Sequence, residues 1–212
     1  MPMNTLNKPP IKTAPPRGYR IVKRLLDLVL SALLLALAAL PLLLIAALIR
    51  LESPGPALFR QTRIGRNERP FTCYKFRTMR SRAPDHKAKK QLEHPEDYIT
   101  PLGKLLRKTS IDELPQLINV LRGDMSLIGP RPLIPEETDV HTLRAAAGVY
   151  ALRPGLTGLA QIRGRDTVSA EEKAALDADY LHSVSLKTDV GIFIESISYV
   201  LLAKDVHEGK SE

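Results

Sequence analysis

Leu28-Val29-Leu30-Ser31-Ala32-Leu33-Leu34-Leu35-Ala36-Leu37-Ala38-Ala39-Leu40-Pro41-Leu42-Leu43-Leu44-Ile45-Ala46-Ala47-Leu48-Ile49 runs for 22 residues without a charge. A helix of about 20 apolar residues crosses a hydrocarbon core of roughly 30 Å, so this run reads as a membrane segment. It is too long for the apolar part of a cleaved leader, and it ends in Arg50-Leu51-Glu52 with no small-residue cleavage site. The flanks say how it sits. Residues 1–24 hold Lys8, Lys12, Arg17, Arg20, Lys23 and Arg24 and no acid, and residues 60–90 hold a further eleven Lys and Arg. Cytoplasmic flanks collect Lys and Arg, and one crossing can satisfy only one of two basic flanks. Pro41, just past the middle, removes a backbone hydrogen bond and kinks a helix. A re-entrant helix–break–helix over residues 20–52, with both flanks on the cytoplasmic face, fits better than a simple span, which remains the rival reading.

Outward from the anchor, residues 1–19 are Pro-rich and basic and read as a flexible tail. Residues 53–204 read as one catalytic domain and 205–212 as a polar tail. The whole is 212 residues with a net charge of +8 and a pI near 9.7. Such a chain seeks anionic partners: phosphates, acidic lipid or nucleic acid. Trp is absent and aromatics make up 5%, which weakens a base-stacking platform. Cys73 is the single cysteine, so no intramolecular disulfide forms and a reducing compartment is expected. Walker and G-x-G-x-x-G loops are absent from the sequence.

The expected class is α/β, mostly helical with few short strands. Ser53-Pro54-Gly55-Pro56 closes the anchor with turn chemistry. Short extended segments are expected around Leu58-Phe59 and Pro70–Phe76, and a solvent-exposed insertion over 80–98. Leu102, Leu105 and Leu106, then Leu114, Leu117, Ile118 and Leu121, recur at helical spacing. Further helices are expected over 135–147, 170–183 and 189–203, the last being either core or membrane-interfacial. Residues 152–165 read as loop and short strand.

Ser110-Ile111-Asp112-Glu113-Leu114-Pro115-Gln116 carries the chemistry-bearing pair. Ser110 with Glu113 three residues on has the spacing of a capping box, which places Asp112 and Glu113 in a first helical turn. An ordinary capping box with surface ion pairs is the plain alternative. Neighbouring carboxylates in one turn diverge, so they do not suit glycoside hydrolysis, which needs carboxyls on opposite faces of a bond. They suit a nucleophile or Mg²⁺ ligand beside a base or supporting partner. Arg107 one turn away, and Arg131 held between prolines in Gly129-Pro130-Arg131-Pro132, could fork onto phosphate oxygens. Alternation in Lys75-Phe76-Arg77 would aim Lys75 and Arg77 at the same site.

Several pieces together resemble a known family. The apolar helix with Pro41, Ser53-Pro54-Gly55-Pro56, Arg63-Ile64-Gly65 and Lys75-Phe76-Arg77-Thr78-Met79 come first. Asp112-Glu113-Leu114-Pro115-Gln116, Gly123-Asp124-Met125-Ser126-Leu127-Ile128-Gly129-Pro130-Arg131-Pro132 and Arg153-Pro154-Gly155-Leu156-Thr157-Gly158 follow. From about Ile21 to Ala203 the sequence resembles the bacterial sugar transferases, the monotopic polyprenol-phosphate phosphoglycosyl transferases, in their short catalytic-core form. The resemblance implies transfer of a sugar-1-phosphate from a UDP-sugar to a polyprenol (undecaprenyl) phosphate at the cytoplasmic face of the bacterial inner membrane, releasing UMP, as the first membrane step of a glycoconjugate pathway. It implies Asp112 as the nucleophile forming a covalent phosphosugar, Glu113 as its partner in metal binding or proton handling, Mg²⁺ as cofactor, and Arg107 and Arg131 at phosphate-contacting positions. Lys75, Arg77 and Gln161 join them as substrate-binding candidates. No nucleic-acid partner is implied, and a homodimer is compatible. Many relatives place Ser before the helix-breaking Pro, whereas Leu40 stands here. The competing functional class is a membrane-anchored, non-catalytic protein binding anionic lipid or nucleic acid, which would release no UMP. A spanning sensor with an exported domain is a third; it would expose Cys73 to an impermeant thiol reagent.

Overall fold

Leu and Ala lose little side-chain freedom in a helix, and their uninterrupted series makes the first element. In this computed structural model, which describes residues 15–80, 95–163 and 168–201, α1 spans Arg17–Glu52 and contains Pro41. The break expected at Pro41 does not divide the segment into two helices: Pro41 lies inside one continuous helix. Both ends of α1 are fastened to the rest of the protein. Near its start, Arg24 donates to the carbonyls of Val120 (2.6 Å) and Leu121 (3.0 Å). Asp27 accepts from Ser126 Oγ (3.1 Å) and the Leu127 N–H (3.0 Å). Lys23 pairs with Asp189 at 2.7 Å. Near its end, Ile49 packs with Phe76 and Leu106, and Arg77 donates to the carbonyls of Ile49, Ser53 and Pro54. Between these fastenings Leu37, Leu40 and Leu43 are 72%, 68% and 68% exposed. An apolar row this bare marks an interaction surface, for a membrane or for another protein.

The strands are few and short, in two separate sheets. β1 (Leu58–Ile64) and β2 (Pro70–Phe76) form an antiparallel pair with Phe59 opposite Lys75. α2 (Pro101–Lys108) starts on a Thr100 cap whose side chain accepts from the Gly103 N–H. A 3₁₀ turn over Ile111–Gln116 leads into α3 (Leu117–Arg122), which Gly123 ends in the left-handed conformation. β3 (Ser126–Ile128) pairs in parallel with β4 (Gly155–Thr157), with α4 (Thr138–Ala146) between them in sequence. The short helix α5 (Leu159–Arg163) takes part of the stretch expected to be loop. α6 (Ala170–Ser183) and α7 (Leu186–Leu201) close the fold. The protein is thus mostly helical with few short strands. The expected basic tail, the exposed insertion and the polar C-terminal tail fall largely outside the described residues.

The main core gathers Leu117, Val120, Met125, Leu127, Tyr180, Leu181 and Ile192 around Cys73. Cys73 is 1% exposed, and burial pushes its thiol pKa up. A thiol so placed behaves as a small hydrophobe. α7 contributes Ile192 inward while Leu186, Val190, Phe193, Ile194 and Ile197 lie exposed at helical spacing. Of the two readings left open for this helix, the structure gives a half-docked helix with an apolar outer row.

Candidate active site

Three elements converge on the Asp112–Glu113 turn. β2 delivers Lys75, whose Nζ meets Glu113 Oε1 at 2.6 Å. The loop after β3 delivers Arg131, which reaches Glu113 Oε1 at 2.9 Å through Nη2 and Oε2 at 3.4 Å through Nη1. The last turn of α2 delivers Arg107, held by a 2.8 Å bond from its Nε to Thr78 Oγ1. The turn itself begins at Ser110, a non-glycine residue in the left-handed region (φ 57°). Non-glycine residues hold that conformation only where their surroundings over-determine it.

This geometry corrects the expected capping box. Ser110 makes no side-chain cap, and Glu113 reaches it only through a backbone N–H bond of 3.2 Å. The Glu113 carboxylate is turned to Lys75 and Arg131 instead, because two charged donors outweigh one amide for an anion 18% exposed.

The two carboxylates end up unlike each other. Burial works against the Glu113 charge, but Arg131 and Lys75, as charges and as donors, more than offset it and hold its pKa well below the usual carboxylate range. For Asp112 burial dominates and the Glu113 charge adds to it; Lys75, Arg107 and Arg131 oppose them, and the pKa is pushed up to about 6. Among the described residues Asp112 accepts no hydrogen bond from protein, so its oxygens face the site uncommitted. One carboxylate is a fixed anion and the other is poised: the division of labour a nucleophile and its partner need. No group of three His, Cys, Asp or Glu gathers as a metal cage among the described residues. Mg²⁺ is commonly held by one or two carboxylates completed by substrate phosphates, and that requirement Asp112, with Glu113 Oε2, can meet.

Of the residues that position this cluster, Arg63 and Gly158 lie within the motifs that carry the family resemblance, whereas Asn119 and Arg144 carried no signal of their own in the sequence. Asn119, fully buried, accepts from the Tyr74 N–H (3.1 Å) and donates to the Thr72 carbonyl (2.7 Å), pinning α3 to β2 and so the Asp112 turn to Lys75. Arg63 donates to the Pro132 carbonyl at 3.0 Å and Arg144 to the Arg131 carbonyl at 2.9 Å, holding the Pro-Arg-Pro backbone from both sides. Gly158 backs the same loop, since a Cβ there would fall on the Gly129 carbonyl.

The structure brings Asp112, Glu113, Lys75, Arg107 and Arg131 together. Among the described residues Gln161 makes no observed contact with them: it donates to the Leu156 carbonyl (3.1 Å) and lies beside Gly158. Arg77 goes elsewhere. The strand ends at Phe76, so the alternation that would have paired it with Lys75 does not continue. Arg77, 8% exposed, turns instead to the carbonyls at the end of α1. Arg77→Gln is therefore expected to lower stability by about 2–4 kcal/mol through loss of charged bonds to buried carbonyls. In the folded fraction the turnover per molecule should stay within a few-fold of wild type. Thermal melts beside active-site-normalised rates check this.

A family model described as bacterial sugar transferase matches residues 18–203. The chain belongs to that family. Among curated relatives, the UDP-glucose:undecaprenyl-phosphate glucose-1-phosphate transferase of Caulobacter vibrioides is 49% identical over 193 residues, covering 87% of this chain and 72% of the relative. An uncharacterized sugar transferase, EpsL, of Bacillus subtilis is 40% identical, covering 89% and 91%. The undecaprenyl-phosphate galactose phosphotransferase of Salmonella typhimurium is 36% identical, covering 87% of this chain but 41% of the relative. As a member of the bacterial sugar transferases, the protein is an enzyme, a phosphoglycosyl transferase, and the converging cluster is its candidate site.

Proposed function

We propose that the protein moves a sugar-1-phosphate from a UDP-sugar onto a polyprenol phosphate at the cytoplasmic face of the inner membrane, through a covalent intermediate on Asp112. The observation that carries this reading is the uncommitted Asp112 carboxylate beside a Glu113 locked by Lys75 and Arg131. In the first half-reaction an Asp112 oxygen attacks the sugar-bearing phosphorus, the diphosphate P–O bond breaks, and UMP leaves with the bridging oxygen. In the second, an oxygen of the polyprenol phosphate attacks the same phosphorus and the acyl-phosphate bond breaks. Asp112 regains its charge, and polyprenol-diphosphate-sugar departs. Arg107 and Arg131 neutralise phosphate oxygens so that one anion can approach another. Lys75 and Arg131 keep Glu113 ionised, and it in turn fixes their positions. Mg²⁺ bound at Asp112 and Glu113 Oε2 would supply further charge neutralisation to the diphosphate.

The re-entrant arrangement has its own support. The apolar run would measure roughly 33 Å as a straight helix. Its two ends are fastened to one domain, through Arg24 and Asp27 on one side and Ile49 and Arg77 on the other. Opposite faces of a bilayer could be reached only by tearing those contacts. The exposed apolar rows of α1 and α7, with Leu105 at 57% exposure on α2, suit a protein seated in one leaflet.

The test is UMP release in detergent with Mg²⁺, undecaprenyl phosphate and a panel of UDP-sugars, joined to mass spectrometry of donor-only mixtures. A mass increase of one phosphosugar on the peptide holding Asp112 is expected; release of UMP with an unmodified peptide and no burst would sink the covalent route. Because Asp112 must be ionised to attack, kcat/KM for the donor at limiting Mg²⁺ should fall as pH drops through about 6 and level off above it, and saturating Mg²⁺ should move the fall to lower pH. A profile flat from pH 5 to 8 at limiting Mg²⁺ would contradict this assignment.

A further inference from the structure

A second cationic site lies where α1 meets the domain, and it shares no residue with the Asp112 cluster. Arg20 and Arg24 of α1, Arg66 of the β1–β2 connection and Arg153 before β4 line one small, half-open recess of about 40 Å³. Two of these arginines do structural work: Arg24 holds the Val120 and Leu121 carbonyls, and Arg153 Nε donates to the Gly123 carbonyl at 2.9 Å. That leaves the Arg153 terminal nitrogens and the guanidinium groups of Arg20 and Arg66 without a hydrogen-bonded partner among the described residues, and Arg66 Nε is buried as well as unpartnered. The one acid in the wall, Asp27, is 4% exposed and committed to β3. Lys23, also in the wall, is committed to Asp189.

Four guanidinium groups around one recess, with none ion-paired to a carboxylate among the described residues, repel one another. Burial depresses the pKa of Arg153, and the charges of Arg24 and Arg66 add to it. Proteins keep like charges this close where an anion joins them, and planar forked donors suit a phosphate. The location narrows the source. The recess opens along the turn of α1 just before the apolar run, where Ile21 and Leu25 are 52% and 58% exposed. A phosphate held there would have acyl chains beside exposed apolar side chains.

We propose that Arg20, Arg24, Arg66 and Arg153 form a phosphate-binding site, distinct from the catalytic cluster, for a phosphate group at the membrane interface. Its ligand is the phosphate of a membrane lipid or free inorganic phosphate, which share this chemistry. The test needs no nucleotide sugar, so its outcome is independent of the transfer reaction. The full protein in neutral detergent at fixed ionic strength is titrated with inorganic phosphate, or with micelles doped with phosphatidylglycerol, and its melting temperature is followed. Wild type, Arg20→Gln and Arg20→Gln/Arg66→Gln are compared; Arg20 is exposed, so the single variant tests the site without burdening the fold. A rise of several degrees in wild type is expected, with apparent affinity weakened on the order of tenfold for each arginine removed. A shift with the doped micelles alone assigns a lipid phosphate, and a shift with inorganic phosphate assigns the free anion. No shift with either, or one of equal midpoint in all three proteins, overturns the proposal.

Discussion

Asp112→Asn is expected to abolish turnover while leaving the protein more resistant to heat. Removing a nucleophile typically lowers kcat by four orders of magnitude or more, and an amide cannot replace the carboxylate oxygen that bonds phosphorus. The stability gain follows from the raised pKa. Folding lifts the Asp112 pKa from 3.8 to about 6, so the ionised form is destabilised relative to the unfolded chain. The penalty is fully present above pH 6 and fades as pH falls from 6 toward 4, where the carboxyl is protonated in both states. Asparagine never carries that charge. At pH 8 the variant should gain on the order of 1–2 kcal/mol, a figure reduced for the partial exposure of the site. That corresponds to a few degrees in Tm, shrinking toward zero at pH 4. Calorimetry at the two pH values, alongside UMP release, measures both halves. An inactive variant with unchanged Tm at pH 8 would remove the strain argument and leave only the chemical one.

Arg144→Met carries the second large effect. Arg144 and Asp177 are 2% and 1% exposed and joined by two bonds, of 2.8 Å and 2.5 Å. Burial pushes the Asp177 pKa up and Arg144 opposes it, so the pair stands or falls together. Leaving Asp177 buried without its partner should destabilise the protein by about 3–5 kcal/mol. Adding Asp177→Leu should restore most of that, since two apolar groups of similar volume fill the space without a stranded charge. Activity should not return in step. The Arg131 carbonyl loses its Arg144 donor in both variants, so the refolded double variant is expected to keep a kcat/KM at least tenfold below wild type, by analogy with other losses of positioning groups. Chemical denaturation and donor kinetics on the same preparations separate the two effects. A double variant that regains full kcat/KM would show that Arg144 matters only for folding.

Local patterns were legible in the sequence, and distant partnerships were not. The helix expected over residues 170–183 is observed as Ala170–Ser183, because its signals are its own residues and the Ser169–Glu172 box that starts it. The same box pattern at Ser110 and Glu113 gave no box, since Lys75 and Arg131 arrive from elsewhere in the chain to take the glutamate. The gathering of Asp112, Glu113, Arg107 and Arg131 was readable because three of them lie within one or two turns and the fourth is set by prolines. Lys75 was readable and Arg77 was not, a difference made by one residue at a strand end. The pairing of β3 with β4 joins three-residue segments with a helix between them, too short for any alternation to show. Nor did Asn119 announce itself, since a buried amide bridging a helix to a strand looks like any other asparagine until both are folded.

The bonds that tie α1 to α7 have a consequence for the order in which the protein assembles. Tyr19 and Lys23 both meet Asp189, across separations of 170 and 166 residues. Such long-range closure is slow, and it has no partner until Asp189 has left the ribosome. The greasy segment emerges long before that. With α1 seated in a membrane as proposed, the segment would meet the bilayer as a lone helix and be gathered in by its own domain afterwards, α7 latching an anchor already in place.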